Sequence, residues 1–166
     1  DVMTDTKRLY YEDVYIKEFS AKVVECRKEE KGFQVILDQS AFYPEGGGQP
    51  SDLGILGDTA VTDVQEKNGE LIHYVKSELE PGTEVIGKID WQRRFDLMQQ
   101  HSGEHIVSGL VHEAYGYNNV GFHMSSDVIT IDFSGVLDEK QLAEIEEQTN
   151  RNIWEDNPVE IFYPDK

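Results

Sequence analysis

Ala60-Val-Thr-Asp-Val-Gln-Glu-Lys-Asn-Gly-Glu-Leu-Ile-His-Tyr-Val75 decides how the first half of the chain folds. Two alternating runs, Ala60–Glu66 and Glu70–Val75, flank Lys67-Asn68-Gly69. Asn-Gly between such runs is the strongest short β-hairpin signal, because both residues accept the positive φ of a type I′ turn. Outward from this hairpin the same texture continues. Phe19–Val24 and Phe33–Leu37 read as strands around a turn at Lys28–Gly32, and Pro81-Gly82 precedes a strand at Thr83–Ile89. Short strands separated by glycine-bearing turns point to a small barrel or sandwich.

The period changes at Trp91. From there to about Tyr115 the spacing is helical, with Phe95, Met98, Ile106, Val107, Leu110 and Ala114 on one broad arc expected to be buried. Val128–Phe133 alternates as a strand. Asp138 and Gln141 form a capping box for a second helix running to about Trp154, expected to be buried through Leu142, Ile145 and Ile153. Val159–Tyr163 reads as a last strand. The expected class is therefore α+β: a small β-barrel-like domain over residues 1–90, then an α+β domain over residues 91–166 with an antiparallel sheet.

The chain has 166 residues, 38% of them hydrophobic and 29% charged, which is globular composition in one or two domains. Fifteen basic against 33 acidic residues give a net charge of −18, which argues against non-specific coating of DNA or an anionic membrane surface. A small local basic patch remains compatible with one phosphate. The single cysteine, Cys26, excludes an intramolecular disulfide framework. No apolar run approaches a membrane span and no signal peptide precedes Tyr10, so a cytoplasmic location is expected, with no membrane partner. Asp1 and Val2 precede a Met3 that fits a natural start.

Two constellations carry chemistry. In His101-Ser-Gly-Glu-His105 the histidines stand at i and i+4, about 40° and 6 Å apart on a helix, so both imidazoles reach one metal ion. The plain alternative is two hydrogen-bonded histidines on a helix border. A zinc site takes at least three protein ligands; His123 or a carboxylate such as Asp132 is a possible third, whereas His112 is a turn too far and reads as structural or surface. In Phe42-Tyr-Pro-Glu-Gly-Gly-Gly-Gln-Pro50 the glycines Gly46, Gly47 and Gly48 offer backbone N–H groups to an oxyanion or phosphate, and Gln49 adds an amide. The alternative is a tight connection between strands. Arg93 and Arg94 open the zinc-type helix and are the best candidates for phosphate contacts, or else are solvated. His73 reads as a strand residue and Cys26 as a small buried hydrophobe.

Leu37–Gly54, with Arg94–His105 and Gly121–Phe133, resembles the editing domain of alanyl-tRNA synthetase and the free-standing AlaX trans-editing proteins. The resemblance implies hydrolysis of tRNA(Ala) mischarged with serine or glycine, with the charged acceptor end as partner and zinc as cofactor. His101 and His105 would be zinc ligands, and Gln49 would lie at the editing pocket. Ser40 stands where relatives often carry a threonine that recognises the seryl hydroxyl. The family's remaining ligands form a Cys-x-x-x-His motif that this chain lacks. They are expected beyond residue 166, so the stretch is expected to be truncated at its C-terminus, to hold zinc weakly and to deacylate little. Two other readings use the same residues. One is a non-catalytic tRNA-binding or dimerising module with an incomplete metal set. The other is an inverted-motif zinc protease with Glu104 as its base. Oligomeric state is not legible.

Overall fold

The computed structural model describes residues 5–124 and 128–154. In chain order its elements are β1 (Lys7–Arg8), a 3-10 turn at Leu9–Tyr11, β2 (Glu18–Glu29), β3 (Gly32–Leu37), β4 (Gln39–Ser40), β5 (Gly54–Leu56), β6 (Thr59–Lys67), β7 (Glu70–Val75) and β8 (Glu84–Ile89). There follow α1 (Trp91–Tyr115), β9 (Asn119–Met124), β10 (Ile129–Phe133) and α2 (Glu139–Trp154). The chain divides into two compact units, residues 1–97 and 98–166, the division falling inside α1. The class is α+β, as expected. The natural-start reading at Met3 and the strand read at Val159–Tyr163 lie outside the described residues.

The first unit is a closed antiparallel barrel in the order β2-β3-β7-β6-β5-β8. Alternation along β2 turns Phe19, Ala21 and Val23 inward, where Val35, Leu37, Leu56, Val64 and Leu71 join them. Register shifts at Val23/Glu25 and Val61/Asp63 mark bulges, which increase the local twist. The hairpin reading holds: Asn68 and Gly69 take φ of 52° and 79°, as a type I′ turn requires. The β2–β3 turn is shorter than expected, because Lys28 and Glu29 pair with Phe33 and Gly32 and leave only Glu30-Lys31 to turn. Gly87 faces Phe19 across the β2–β8 ladder, and a Cβ there would lie 2.5 Å from the Phe19 ring. The aromatic ring covers the bare backbone, and both residues are needed for it to do so.

Asp90 caps α1. Its carboxylate accepts the Arg93 backbone N–H at 3.2 Å and its carbonyl accepts that of Arg94 at 3.0 Å. The apolar arc does not form the buried stripe of α1. Arg94, Leu97, Glu104 and Val111 are buried, at steps of three and seven residues, while Phe95 is 40% exposed. The stripe has the helical period, but two of its positions are charged, Arg94 paired with buried Asp52 and Glu104 hydrogen-bonded by Ser108 and Asn119, so hydrophobicity alone points to the wrong face.

In the second unit β9 and β10 pair antiparallel, with Ile129, Ile131 and Phe133 half-buried and Thr130 and Asp132 exposed. The capping box is reciprocal: Asp138 N–H donates to Gln141 Oε1 at 2.9 Å, and Gln141 N–H to Asp138 Oδ1 at 2.8 Å. Of the three apolar α2 residues expected inside, only Ile145 is buried; Leu142 and Ile153 are 52% and 57% exposed.

Arg94 and Asp52 form a buried ion pair in the first unit, with side chains 4% and 2% exposed. Arg94 Nε donates to both Asp52 oxygens at 2.9 Å, and its Nη atoms reach the Val14 and Ala41 carbonyls at 2.8 and 2.7 Å. Removing one partner strands the other charge in the interior. Arg94→Ala and Asp52→Ala should each cost about 3–5 kcal/mol in urea unfolding. A loss below about 1 kcal/mol, the exposed-pair value, would contradict this account.

Candidate functional site

Two clusters hold the candidate residues, one in each unit. In the first, the glycine-rich segment is an ordered loop closed twice. At its base Tyr43 N–H donates to Asp52 Oδ2 at 2.7 Å and Asp52 N–H to the Tyr43 carbonyl at 2.9 Å. At its tip Gly46 N–H bonds the Gln49 carbonyl at 3.1 Å and Gln49 N–H the Gly46 carbonyl at 3.0 Å. Gly47 and Gly48 turn the corner with φ of 57° and 84°. The expectation of a row of free amides is therefore corrected, since the Gly46 N–H is consumed by the turn. The Gly47 and Gly48 N–H groups and the Gln49 side-chain amide have no partner among the described residues. Beside Gly46, the rings of Tyr10, Tyr11 and Tyr43 and the side chain of Glu45 border a cavity of about 250 Å³. The Tyr10 hydroxyl is buried without a partner among the described residues, and burial pushes its pKa up.

Ser40 is sealed inside the barrel at 0% exposure. Its hydroxyl lies 2.7 Å from His73 Nε2 and accepts the Phe42 N–H at 3.1 Å. His73 Nδ1 lies 3.0 Å from the Val35 carbonyl, which only accepts, so Nδ1 carries the proton and Nε2 accepts from Ser40. A hydroxyl spent in this way is not presented to a ligand. The expected contact of Ser40 with a seryl group does not match this burial; instead Ser40 fixes Phe42 at the start of the glycine loop. His73 is more than a strand residue: it is fully buried, and burial lowers its pKa to about 4. Its pairing with Ser40 joins positions 33 apart, which no local pattern reveals.

Arg94 is corrected too. Its guanidinium is committed to Asp52 and two carbonyls and is 3% exposed, so it is closed to phosphate. Arg93 is half-buried. Its Nε donates to the Ser51 carbonyl at 3.2 Å, and its Nη atoms have no partner among the described residues.

In the second unit, His101 and His105 turn their Nε2 atoms toward each other at 2.8 Å, with ring centroids 4.5 Å apart. Burial, with His105 nearby, lowers the His101 pKa, and His101 Nδ1 is buried without a partner among the described residues. Two ligands on a tetrahedral zinc stand roughly 3.3 Å apart, so a small rotation of either ring admits the ion. The pair thus fits two corners of a zinc site. Among the described residues the third group within 4.8 Å is Glu104. His123 and Asp132 are exposed on β9 and β10 and stand outside this cluster, which corrects the expected third ligand. Glu104 is 5% exposed, and its Oε1 accepts from Ser108 Oγ at 2.7 Å and Asn119 Nδ2 at 2.6 Å. A carboxylate held this firmly is poorly suited to the mobile general base of a protease.

A family model described as tRNA synthetases class II (A) matches residues 1–93. The chain is 38% identical to the alanyl-tRNA editing protein AlaX-L of Pyrococcus horikoshii, over 96% of this chain and 41% of that protein. It is 36% identical to the alanyl-tRNA editing protein Aarsd1 of Bos taurus, over 90% and 37% respectively. An alanine–tRNA ligase of Pyrobaculum neutrophilum is 37% identical over 93% of this chain and 18% of that enzyme. The chain thus spans about two fifths of the length of the two editing proteins.

His73 makes a prediction for acid stability. Its folded pKa, about 4, lies below the ordinary 6.5, so its contribution is fully present above pH 6.5 and is lost as pH falls toward 4. The loss is about 3 kcal/mol over that window. His73→Gln should be less stable at neutral pH and should lose less on acidification, as read by denaturant unfolding of both proteins. Parallel pH profiles would contradict the assignment.

Proposed function

The chain belongs to the class II (A) tRNA synthetase family, and we propose that it is the editing part of a protein that hydrolyses tRNA(Ala) mischarged with serine or glycine. The observation that carries the proposal is a glycine-rich loop with an unpartnered Gln49 amide, together with the converging His101/His105 pair, in a chain whose relatives are named alanyl-tRNA editing proteins.

The reaction is attack of water on an activated ester. The carbonyl carbon gains a bond to water oxygen, its own oxygen becomes an oxyanion, and collapse releases the tRNA hydroxyl and the free amino acid. Donors aimed at that oxyanion supply the largest catalytic contribution. The Gly47 and Gly48 N–H groups are suited to this because the tight turn fixes their directions before substrate arrives, and the Gln49 side-chain amide beside them adds a further donor. Asp52 and Tyr43 hold the base of the loop, and Ser40 holds Phe42 from inside the barrel. Arg93 offers its free guanidinium edge to an acceptor-end phosphate. His101 and His105 would hold zinc through Nε2, and zinc so bound lowers the pKa of water and anchors polar groups of an amino acid. Alanine is smaller than serine and cannot be excluded by size; it is spared because a site built around the serine hydroxyl is left with unpaired polar groups when alanine enters.

The reading is tested by deacylation of Ser-, Gly- and Ala-tRNA(Ala) by the protein in its natural full length. Ser-tRNA(Ala) should be hydrolysed and Ala-tRNA(Ala) spared, and Gly-tRNA(Ala), which also lacks the hydroxyl, should be hydrolysed more slowly than the seryl ester. Gln49→Ala should slow Ser-tRNA(Ala) hydrolysis about 10- to 100-fold, and Arg93→Ala should raise KM with little change in kcat. His101→Ala and His105→Ala should abolish metal binding and activity together. Tight tRNA binding with no deacylation of any ester would instead favour a non-catalytic binding module.

A further inference from the structure

Glu104 and His105 are adjacent on α1, and neighbours on a helix ordinarily point apart. Here Glu104 is buried and His105 exposed, yet Glu104 Oε2 lies 3.4 Å from His105 Nδ1. The other oxygen is fixed independently: Ser108, one turn along α1, and Asn119, on β9, both donate to Oε1. An oxygen with two donors has both lone pairs filled. Oε1 is therefore closed to a metal, and Oε2 faces the Nδ1 edge of His105. The two histidine Nε2 atoms meet on the opposite edge of that ring.

A carboxylate only accepts, so the Glu104 charge 3.4 Å from Nδ1, an ion-pair contact, favours the His105 tautomer with its proton on Nδ1 and a bare Nε2. That Nε2 then accepts the His101 Nε2–H across 2.8 Å. His101 Nδ1 is left bare, and it is buried with no partner among the described residues. A bare acceptor is the less costly group to leave unpaired. This assignment pairs the two Nε2 atoms and sets the His105 Nδ1–H against the Glu104 charge, an ion-pair contact and not a formed hydrogen bond.

We propose that Glu104, anchored by Ser108 and Asn119, is a positioning residue that holds His105 in the tautomer with a free Nε2, the form required of a metal ligand. The carboxylate–histidine pairing is the usual support behind a metal-bound imidazole, and its loss typically costs 10- to 100-fold in metal affinity. The tautomer is inferred from the approach of the Glu104 carboxylate to His105 Nδ1. Its consequence for the metal rests on the reading given under Proposed function.

Glu104→Gln separates the possibilities, because it preserves shape. Ser108 and Asn119 keep the amide oxygen, so the amide NH2 faces His105 Nδ1 and can only donate. Nitrogen-15 NMR of the histidine rings, on metal-free protein at about pH 8, where an ordinary imidazole is neutral, should show His105 protonated at Nδ1 in the natural sequence. The same spectra should show it protonated at Nε2 in Glu104→Gln. Affinity for cobalt or zinc, read by chelator competition, should fall about 10- to 100-fold in the variant. Asn119→Ala, which leaves α1 untouched, should shift tautomer and affinity the same way by less. An unchanged His105 tautomer in Glu104→Gln overturns the proposal even if affinity falls, since removing a charge weakens cation binding by itself. Loss of one ligand from the cobalt spectrum of Glu104→Gln also overturns it, by making Glu104 a ligand. A tautomer that switches in a protein with no deacylase activity would remove the editing reading and leave this proposal standing.

Discussion

The buried Arg94–Asp52 pair is the constraint on which the first unit depends. Asp52 closes the base of the glycine-rich loop by bonding the Tyr43 backbone, and Arg94 holds that same carboxylate from the first turns of α1. Arg94 also ties down the Ala41 carbonyl, on the strand side of the loop, and the Val14 carbonyl near the N-terminus. A loop of three glycines is entropically costly to order. Here the order comes from its fixed ends and a self-bonded tip. The result is a set of backbone donors whose directions are set before any ligand binds.

The histidine cluster follows the same logic with different parts. His105 is exposed and would rotate freely if it stood alone. Its neighbour Glu104 is buried and clamped by two donors from α1 and β9. In both clusters the outward-facing chemistry is steadied by a buried, hydrogen-bonded charge. Such groups are strongly destabilising when one partner is lost, which makes them rigid supports.

What the sequence revealed depended on whether the signal was local. The Asn68-Gly69 hairpin, the Asp138/Gln141 capping box and the alternation of β10 are short-range patterns, and each was legible. Short strands separated by glycine-bearing turns made a barrel-like fold legible as well. The buried face of α1 was not, because two of its four buried positions are Arg94 and Glu104, which hydropathy places outside. Arg94 read as a phosphate contact or a solvated arginine at a helix start, since its partner Asp52 lies 42 residues away. His73 looked like an ordinary strand residue, because nothing near it shows that Ser40 would need an acceptor. The residue types at the glycine loop and the histidine pair were visible from spacing. Which of their atoms are free was not, because that depends on bonds made elsewhere in the fold.

The central claim is that the glycine-loop donors receive a seryl ester and not an alanyl one. A direct measurement is amide NMR of the protein titrated with non-hydrolysable seryl and alanyl amides of 3′-amino-3′-deoxyadenosine, which mimic the charged end of tRNA. The account predicts that the Gly47 and Gly48 backbone N–H and the Gln49 side-chain NH2 resonances shift with the seryl analogue, and shift little with the alanyl one at equal concentration. Seryl binding that leaves these three groups unmoved, or identical shifts from both analogues, would contradict it.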